Sequence, residues 1–229
     1  MQNVINEKPT SKLYGRLKFT TQFVDYLDIK EKNILNIGCG YGWFELNAIN
    51  RNVKKIIGTE ISEKDLETAN INIKNKNVEF NVSSAIDLPF NNDSFDTVVS
   101  WEVIEHIPKN TEKQMFSEAY RVLKKDGVFY LSTPYDNFFA KIFDPAWYFG
   151  HRHYSLDRLK KFAESNGFIV DKYYKKGGLW EVIAMLDMYI SKWIFRRRMF
   201  FESFILKKVD EEYSKPEGFF GIFIKFRKV

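Results

Sequence analysis

The feature that most constrains this chain is the run from Ile34 to Glu45, Ile-Leu-Asn-Ile-Gly-Cys-Gly-Tyr-Gly-Trp-Phe-Glu. A short apolar stretch breaks into glycines at positions 38, 40 and 42 and then takes on helical spacing. The pattern predicts a strand, a tight turn and a helix start. Glycine reaches backbone angles closed to other residues, and without a Cβ it lets a ligand lie against the main chain. The helix that follows offers unpaired N–H groups and a positive dipole end to an anion. Glu60 stands at the end of the next apolar run, where a carboxylate can take both hydroxyls of a ribose. Together these features predict a nucleotide-type cofactor site.

The rest of the chain alternates strand-like and helix-like stretches. Strands are expected over 33–37, 54–60, 78–82, 95–101, 128–133, 168–174 and 218–227, and helices over 14–27, 42–50, 62–74, 111–124 and 155–165. Ser62, followed three residues later by Asp65, is a helix-capping start. Such alternation means βαβ units and a mainly parallel sheet. Residues 1–10 read as a polar tail. The organisation expected is one domain over 1–229, with a core over about 11–174, a helical insert or lid over about 178–212, and the last strand.

Composition narrows the setting. The single cysteine, Cys39, cannot form an internal disulfide, which points to a reducing, cytoplasmic interior. The N-terminus shows no basic region leading into an apolar run, so no signal peptide is expected. Glu181, Asp187 and Lys192 interrupt the greasiest stretch, 178–195, and argue against a spanning helix. A net charge of +5, concentrated late in the chain, permits an anionic partner without requiring one.

At this point the chain resembles the class I S-adenosylmethionine-dependent methyltransferases, particularly the small-molecule and ubiquinone-pathway O-methyltransferase branch. The resemblance covers roughly 34–169. It rests on the glycine stretch, on Gly58-Thr59-Glu60-Ile61, on Ala85-Ile86-Asp87-Leu88-Pro89-Phe90 followed by Asp93-Ser94-Phe95-Asp96, and on Arg121-Val122-Leu123-Lys124 with Gly127. It implies a Rossmann-like α/β fold: a seven-stranded, mostly parallel sheet with an antiparallel last strand and a helical insert before it. The implied cofactor is S-adenosyl-L-methionine. Gly38, Gly40 and Gly42 would face its methionine part, Glu60 its ribose and Ile61 one face of its adenine. Ala85 would offer its backbone N–H to the ring. Cys39 and Trp101 complete the implied set, and Arg16 would reach the cofactor carboxylate. Ser84 departs from the family pattern, which often has an acidic residue there. A nicotinamide dehydrogenase uses a similar loop, but its G-x-G-x-x-G spacing differs from the G-x-G-x-G found here.

Beyond the fourth strand, Trp101-Glu102-Val103-Ile104-Glu105-His106 brings two carboxylates and an imidazole together where open α/β sheets bind ligands. In a helical turn Glu102 would share a face with Glu105 or His106. Three readings stand. His106 serves as a general base, with Glu105 beside it. Alternatively Glu102, Glu105 and His106 hold a divalent metal together with His151 or His153, since the Glu-x-x-Glu-His pattern resembles the metal site of ubiquinone-pathway and small-RNA 2′-O-methyltransferases. Or the residues only cap a helix.

The acceptor expected is a small or lipid-linked molecule methylated at oxygen. The alternatives are metal-assisted 2′-O-methylation of RNA ends, although no RNA-binding module is evident, and a non-catalytic binding protein on the same fold. Aromatic residues of 135–153, and Trp180, Tyr189 and Trp193 of the insert, are expected to wall the acceptor pocket. Trp193-Ile194-Phe195 followed by Arg196-Arg197-Arg198 allows peripheral membrane contact through 179–206.

Overall fold

The computed structural model describes residues 7–229. The polar tail read over 1–10 therefore lies outside the described residues for its first six positions. Seven strands, β1 (Asn33–Ile37), β2 (Lys55–Glu60), β3 (Val78–Val82), β4 (Phe95–Trp101), β5 (Leu123–Pro134), β6 (Phe168–Lys176) and β7 (Gly221–Lys228), form one sheet in the order β3-β2-β1-β4-β5-β7-β6. The first five pair in parallel, and β7 runs antiparallel between β5 and β6. Strand order reverses at β1, which opens a crevice beyond the carboxyl ends of β1 and β4.

Helices cover both faces. On one side α4 (Glu112–Val122) and α6 (Leu156–Glu164) lay Met115, Phe116, Ala119, Leu159 and Ala163 on the sheet. On the other, α1 (Gly15–Phe23), α2 (Trp43–Ile49) and α8 (Glu202–Tyr213) contribute Phe23, Phe44, Ala48, Ile205 and Val209. The central strands are buried on both faces and so read as continuous apolar runs rather than alternating ones. α3 (Glu63–Asn72) follows β2, and its Ser62 Oγ accepts from the Asp65 amide at 3.3 Å. Between β6 and β7 lies the helical insert: α7 (Leu179–Tyr189), a π-helical turn over Ile190–Ile194, and α8.

Three elements differ from the sequence expectation. The leading helix stops at Phe23 and a separate 3-10 turn, Tyr26–Asp28, follows, held where the Tyr130 hydroxyl donates to Asp28 at 2.6 Å. β5 is longer than expected because Leu123 already pairs with Phe95 before a bulge. The aromatic stretch after β5 contains a short helix, α5 (Phe138–Phe143), and a 3-10 turn, Pro145–Phe149, started by Asn137 and Asp144 caps.

Phe116 is fully buried and its ring meets Phe129, Phe162, Phe168 and Phe226, so one side chain joins α4 to β5, α6, β6 and β7. Phe116→Ala should lower unfolding free energy by about 3–5 kcal/mol, read by urea denaturation.

Candidate functional site

The glycine turn closes as its residue types require. Gly38, Gly40 and Gly42 have φ of 75°, 53° and 82°, in the left-handed region that a side chain disfavours. The amides of Gly38 and Cys39 both donate to the Thr59 carbonyl, at 2.7 and 2.9 Å, locking the turn to β2. A Cβ on Gly40 would meet nothing within 4 Å, so the main chain there faces open space. Glu60 curls over the turn: its Oε2 accepts from the Gly40 amide at 3.2 Å and its Oε1 from the Ile61 amide at 2.8 Å. Ile61 is 74% exposed beside it, an apolar surface with no cover among the described residues. Ser84 Oγ accepts from the Ile86 amide at 3.4 Å, with half-buried Ala85 between them. Trp101 is buried and tilts against Phe44, its ring centroid 5.7 Å away.

Beneath the turn lies a buried polar pair. Glu45 is fully buried; Asn36 Nδ2 donates to its Oε1 at 2.8 Å, while Glu45 Oε2 and Asn36 Oδ1 have no partner. Gly58 makes this possible, because a Cβ there would stand 2.7 Å from Glu45 Oε1 and 2.9 Å from Cys39 Sγ. Burial pushes the Glu45 carboxyl up to about 7, against the opposing effect of the Asn36 hydrogen bond. Cys39 is buried as well, and burial, followed by the Glu45 charge, pushes its thiol up.

The segment after β4 is not the helical turn its spacing suggested. Glu102 takes a left-handed φ of 56°, and its carboxylate turns toward Arg16 Nη1 at 2.8 Å and the Ser132 hydroxyl at 2.6 Å. Glu105 and His106 point elsewhere. Arg16, expected at the cofactor carboxylate, pairs with Glu102 and lies 3.7 Å from Glu181 of α7. Those two carboxylates hold its pKa up against burial, which acts in the opposite direction.

Glu105, His106 and His151 offer ligand atoms that all lie within 4.8 Å of one another. His106 Nε2 is 3.3 Å from His151 Nε2, and Glu105 Oε1 is 3.8 Å from the same His151 nitrogen. The Glu105 Oε2 atom accepts from the Thr133 hydroxyl at 3.0 Å, whereas Oε1 is buried without a hydrogen-bond partner. Burial, followed by the Glu102 charge, pushes the Glu105 carboxyl well up. Burial, followed by His151, pulls His106 down to about 4.

Asp144, which no sequence motif marked, organises the histidines. Its Oδ2 stands 2.9 Å from His151 Nδ1 and 2.9 Å from His153 Nε2. With the His151 proton on Nδ1 toward Asp144, the Nε2 lone pair faces Glu105 and His106. His153 is turned inward, both ring nitrogens engaged by Asp144 and the Tyr135 carbonyl. A second set of close ligand atoms, Asp144, His151 and His153, results from this arrangement. Glu102 stands outside both sets, and His153 has no nitrogen left to offer the first. Arg152 fastens the two halves by donating to the carbonyls of Ile104 and Ile107 at 2.7 and 2.6 Å.

A cleft of ≈ 870 Å³ opens between the leading segment, the glycine turn and the insert, lined in part by Tyr14, Leu17, Tyr41, Trp43, Met188 and Arg198. The aromatics expected to wall a pocket are placed differently: Phe138, Tyr148 and Phe149 are exposed, and Trp180 packs on the core.

With this geometry in hand, comparison with known proteins defines the class. Residues 35–131 match the family model for a methyltransferase domain. The crystal structure of an S-adenosylmethionine-dependent methyltransferase from Mesorhizobium loti superposes with a TM-score of 0.61 at 16% identity, over 88% of this chain and 93% of that one, a likeness of fold. A Mycolicibacterium smegmatis protein named "Probable S-adenosylmethionine-dependent methyltransferase" is 30% identical over 141 residues, 61% of this chain and 53% of its own. A ubiquinone biosynthesis O-methyltransferase of Neisseria meningitidis is 29% identical over 118 residues, 48% of this chain and 49% of its own. The chain thus spans about half the length of these curated relatives. Residues 35–131 thus form a methyltransferase domain, set in the fold of S-adenosylmethionine-dependent methyltransferases.

The pair beneath the glycine turn carries a pH dependence. The folded-state pKa of Glu45 lies above its ordinary value of 4.5, so the folded chain holds this proton where the unfolded chain has released it. Stability is therefore greatest below about pH 4.5 with respect to this group and falls as pH rises through about 7, by on the order of 3 kcal/mol. Glu45→Gln should remove that fall, so that urea midpoints at pH 5 and pH 8 draw together. A variant with the same pH slope as the parent would contradict the assignment.

Proposed function

We propose that the protein transfers a methyl group from S-adenosylmethionine to an oxygen atom of a small or lipid-linked acceptor, with a divalent metal held by Glu105, His106 and His151. The observation that carries the metal reading is the buried, unpartnered Glu105 Oε1 facing two imidazole nitrogens. A donor set of two histidines and one carboxylate suits Mn²⁺, Fe²⁺ or Zn²⁺ better than Mg²⁺. The Asp144 carboxylate behind His151 is the outer partner that metal-binding histidines commonly use.

Each residue then has a task. The main chain of Gly38, Cys39, Gly40 and Gly42 cradles the methionine part of the cofactor, in the space that a Cβ on Gly40 would enter. The Glu60 carboxylate, now satisfied by the Gly40 and Ile61 amides, accepts from the ribose hydroxyls; Ile61 covers one face of the adenine. Ser84 and Ala85 border the ring edge, and Trp101 backs the site from the core. Arg16 and Ser132 hold Glu102 in place, leaving Glu105 and His106 to face the acceptor oxygen. When bound, the cofactor supplies a methyl group activated by its positive sulfonium, and a metal lowers the pKa of the acceptor hydroxyl. The chain contributes proximity and alignment for in-line displacement. The Neisseria relative's name, an O-methyltransferase, supports oxygen as the acceptor atom.

One arrangement favours a second reading. Asp144, His151 and His106 form a chain of contacts at 2.9 and 3.3 Å, through which His106 could act as a general base without a metal.

Calorimetric titration tests the cofactor: binding of S-adenosylmethionine is expected, and its absence at millimolar concentration would sink the enzyme reading. Gly40→Ala should weaken that binding while leaving the fold intact by circular dichroism. For the metal, chelation should abolish methyl transfer to the acceptor pool of a cell extract, and added Mn²⁺ should restore it. Asp144→Asn should lower metal affinity by about 10–100-fold. A transfer rate unchanged by chelation but lost in His106→Ala would move the assignment to the base reading.

A further inference from the structure

The insert exposes apolar surface that the sheet does not use. α7 buries Trp180, Ile183 and Ala184 against the core on one side, and Val182 and Met185 against Ala140 of α5 on the next. Leu186 and Ile190, and beyond them Trp193 and Ile194, are left outward, with Ile194 70% exposed. α5 and the 3-10 turn flank this stripe. Phe138 is 71% exposed and Phe149 92%, and Phe201 at the start of α8 is 81% exposed. The contact of Val182 and Met185 with Ala140 sets α7 directly beside α5. Two aromatic segments therefore sit side by side.

Charge marks what meets this face. Over 190–208 the chain carries Lys192, Arg196, Arg197, Arg198, Lys207 and Lys208 against the single carboxylate of Glu202. Lys192 is taken by Glu7, whereas the three arginines are exposed and border the outward Ile194 and Phe195. Arg197 and Arg198 also line the ≈ 870 Å³ cleft, so the basic rim reaches the mouth of that cleft. Exposed Phe, Trp and Ile rimmed by arginine is the arrangement of a surface that sinks its apolar groups to the acyl boundary and its cations among anionic headgroups. No helix among the described residues is long and apolar enough to cross a membrane, so the contact is peripheral.

We infer that the face formed by α5, the turn Pro145–Phe149 and the α7–α8 insert docks on an anionic lipid bilayer. Phe149 is two residues from His151, so docking brings the bilayer surface alongside the Glu105, His106 and His151 cluster. The inference is independent of the methyl-transfer reading, because its test measures binding alone.

The experiment is co-sedimentation of the full chain with vesicles of phosphatidylcholine, with and without phosphatidylglycerol, at low and high salt. The chain should bind vesicles containing phosphatidylglycerol, and release as salt rises. Replacing Arg196, Arg197 and Arg198 together by Gln should weaken that binding on the order of 100-fold. Ile194→Ser combined with Phe149→Ser should weaken it with the arginines intact. Both variants change exposed side chains, and unaltered circular dichroism and an unaltered urea midpoint would show the fold is kept. No binding to either vesicle, or binding indifferent to both variants, would overturn the inference. So would concentration-dependent dimerisation without lipid that the Ile194 and Phe149 changes abolish, since the face would then belong to a second copy of the chain. Binding of RNA that displaces the vesicles and depends on the arginines alone would overturn it as well.

Discussion

The register of β1 against its two parallel neighbours decides where every group of the site can stand. Ile37 pairs with Thr59 of β2 and with Ser100 of β4, so the three strands end level. Gly38, Glu60 and Glu102 consequently leave the sheet at one height around one crevice, although they are far apart in sequence. A slip of one residue in either pairing would exchange the two faces of the strand, so that side chains fitted to one helix layer would meet the other and these groups would leave the sheet on the wrong side. The burial of β1 and β4 on both faces forbids that slip, so the hydrophobic core sets the geometry of the polar site.

Arg16 links the crevice to the insert. One guanidinium approaches Glu102 after β4 and Glu181 in α7, while the neighbouring Gly15 amide donates to Asp210 of α8. Glu212 in turn accepts from the amides of Gly178, Trp180 and Glu181, giving the start of α7 the capping its own sequence does not supply. The insert is thus tied to the leading helix and the sheet by charge-assisted contacts at one end. Its other end, the π-helical turn and the arginines, has fewer such ties. Such a division leaves the far end freer to adapt than the end beside the crevice.

Most of the fold was legible because its signals are local. The glycine turn, the Ser62 cap and the alternation of strands and helices depend on residues within a few positions of one another, and the strand order follows the family's motif order. The roles of single site residues were less accessible. Glu102 and Glu105 have helical spacing, but the left-handed backbone at Glu102 separates them, and its carboxylate is held by Arg16 and Ser132 from distant elements. His153 resembled His151 in sequence, yet the carbonyl of Tyr135 and the Asp144 carboxylate consume both its nitrogens. Asp144 carried no signal beyond the Asp-Pro pair that opens a turn; its function depends on histidines that return to it only in the folded strap. Glu45 had no role in the sequence reading, and its pairing with Asn36 required the missing side chain at Gly58 to be seen in three dimensions.

The strap between β5 and α6 is closed twice. At its base Tyr135 bridges to Tyr154 and the Asp136 amide donates to the Tyr154 carbonyl; further along, Asp144 gathers His151 and His153. The double closure divides one long excursion into a pinned stem and an outer arc, so His151 is held in place by the folded strap itself. The outer arc is the turn Pro145–Phe149, between Asp144 and His151. Its side chains can change in number and character while the imidazole keeps its place. On the proposed function, the part of the loop that meets an acceptor and the part that holds the imidazole would be adjacent but separately fixed, so that one could change without disturbing the other.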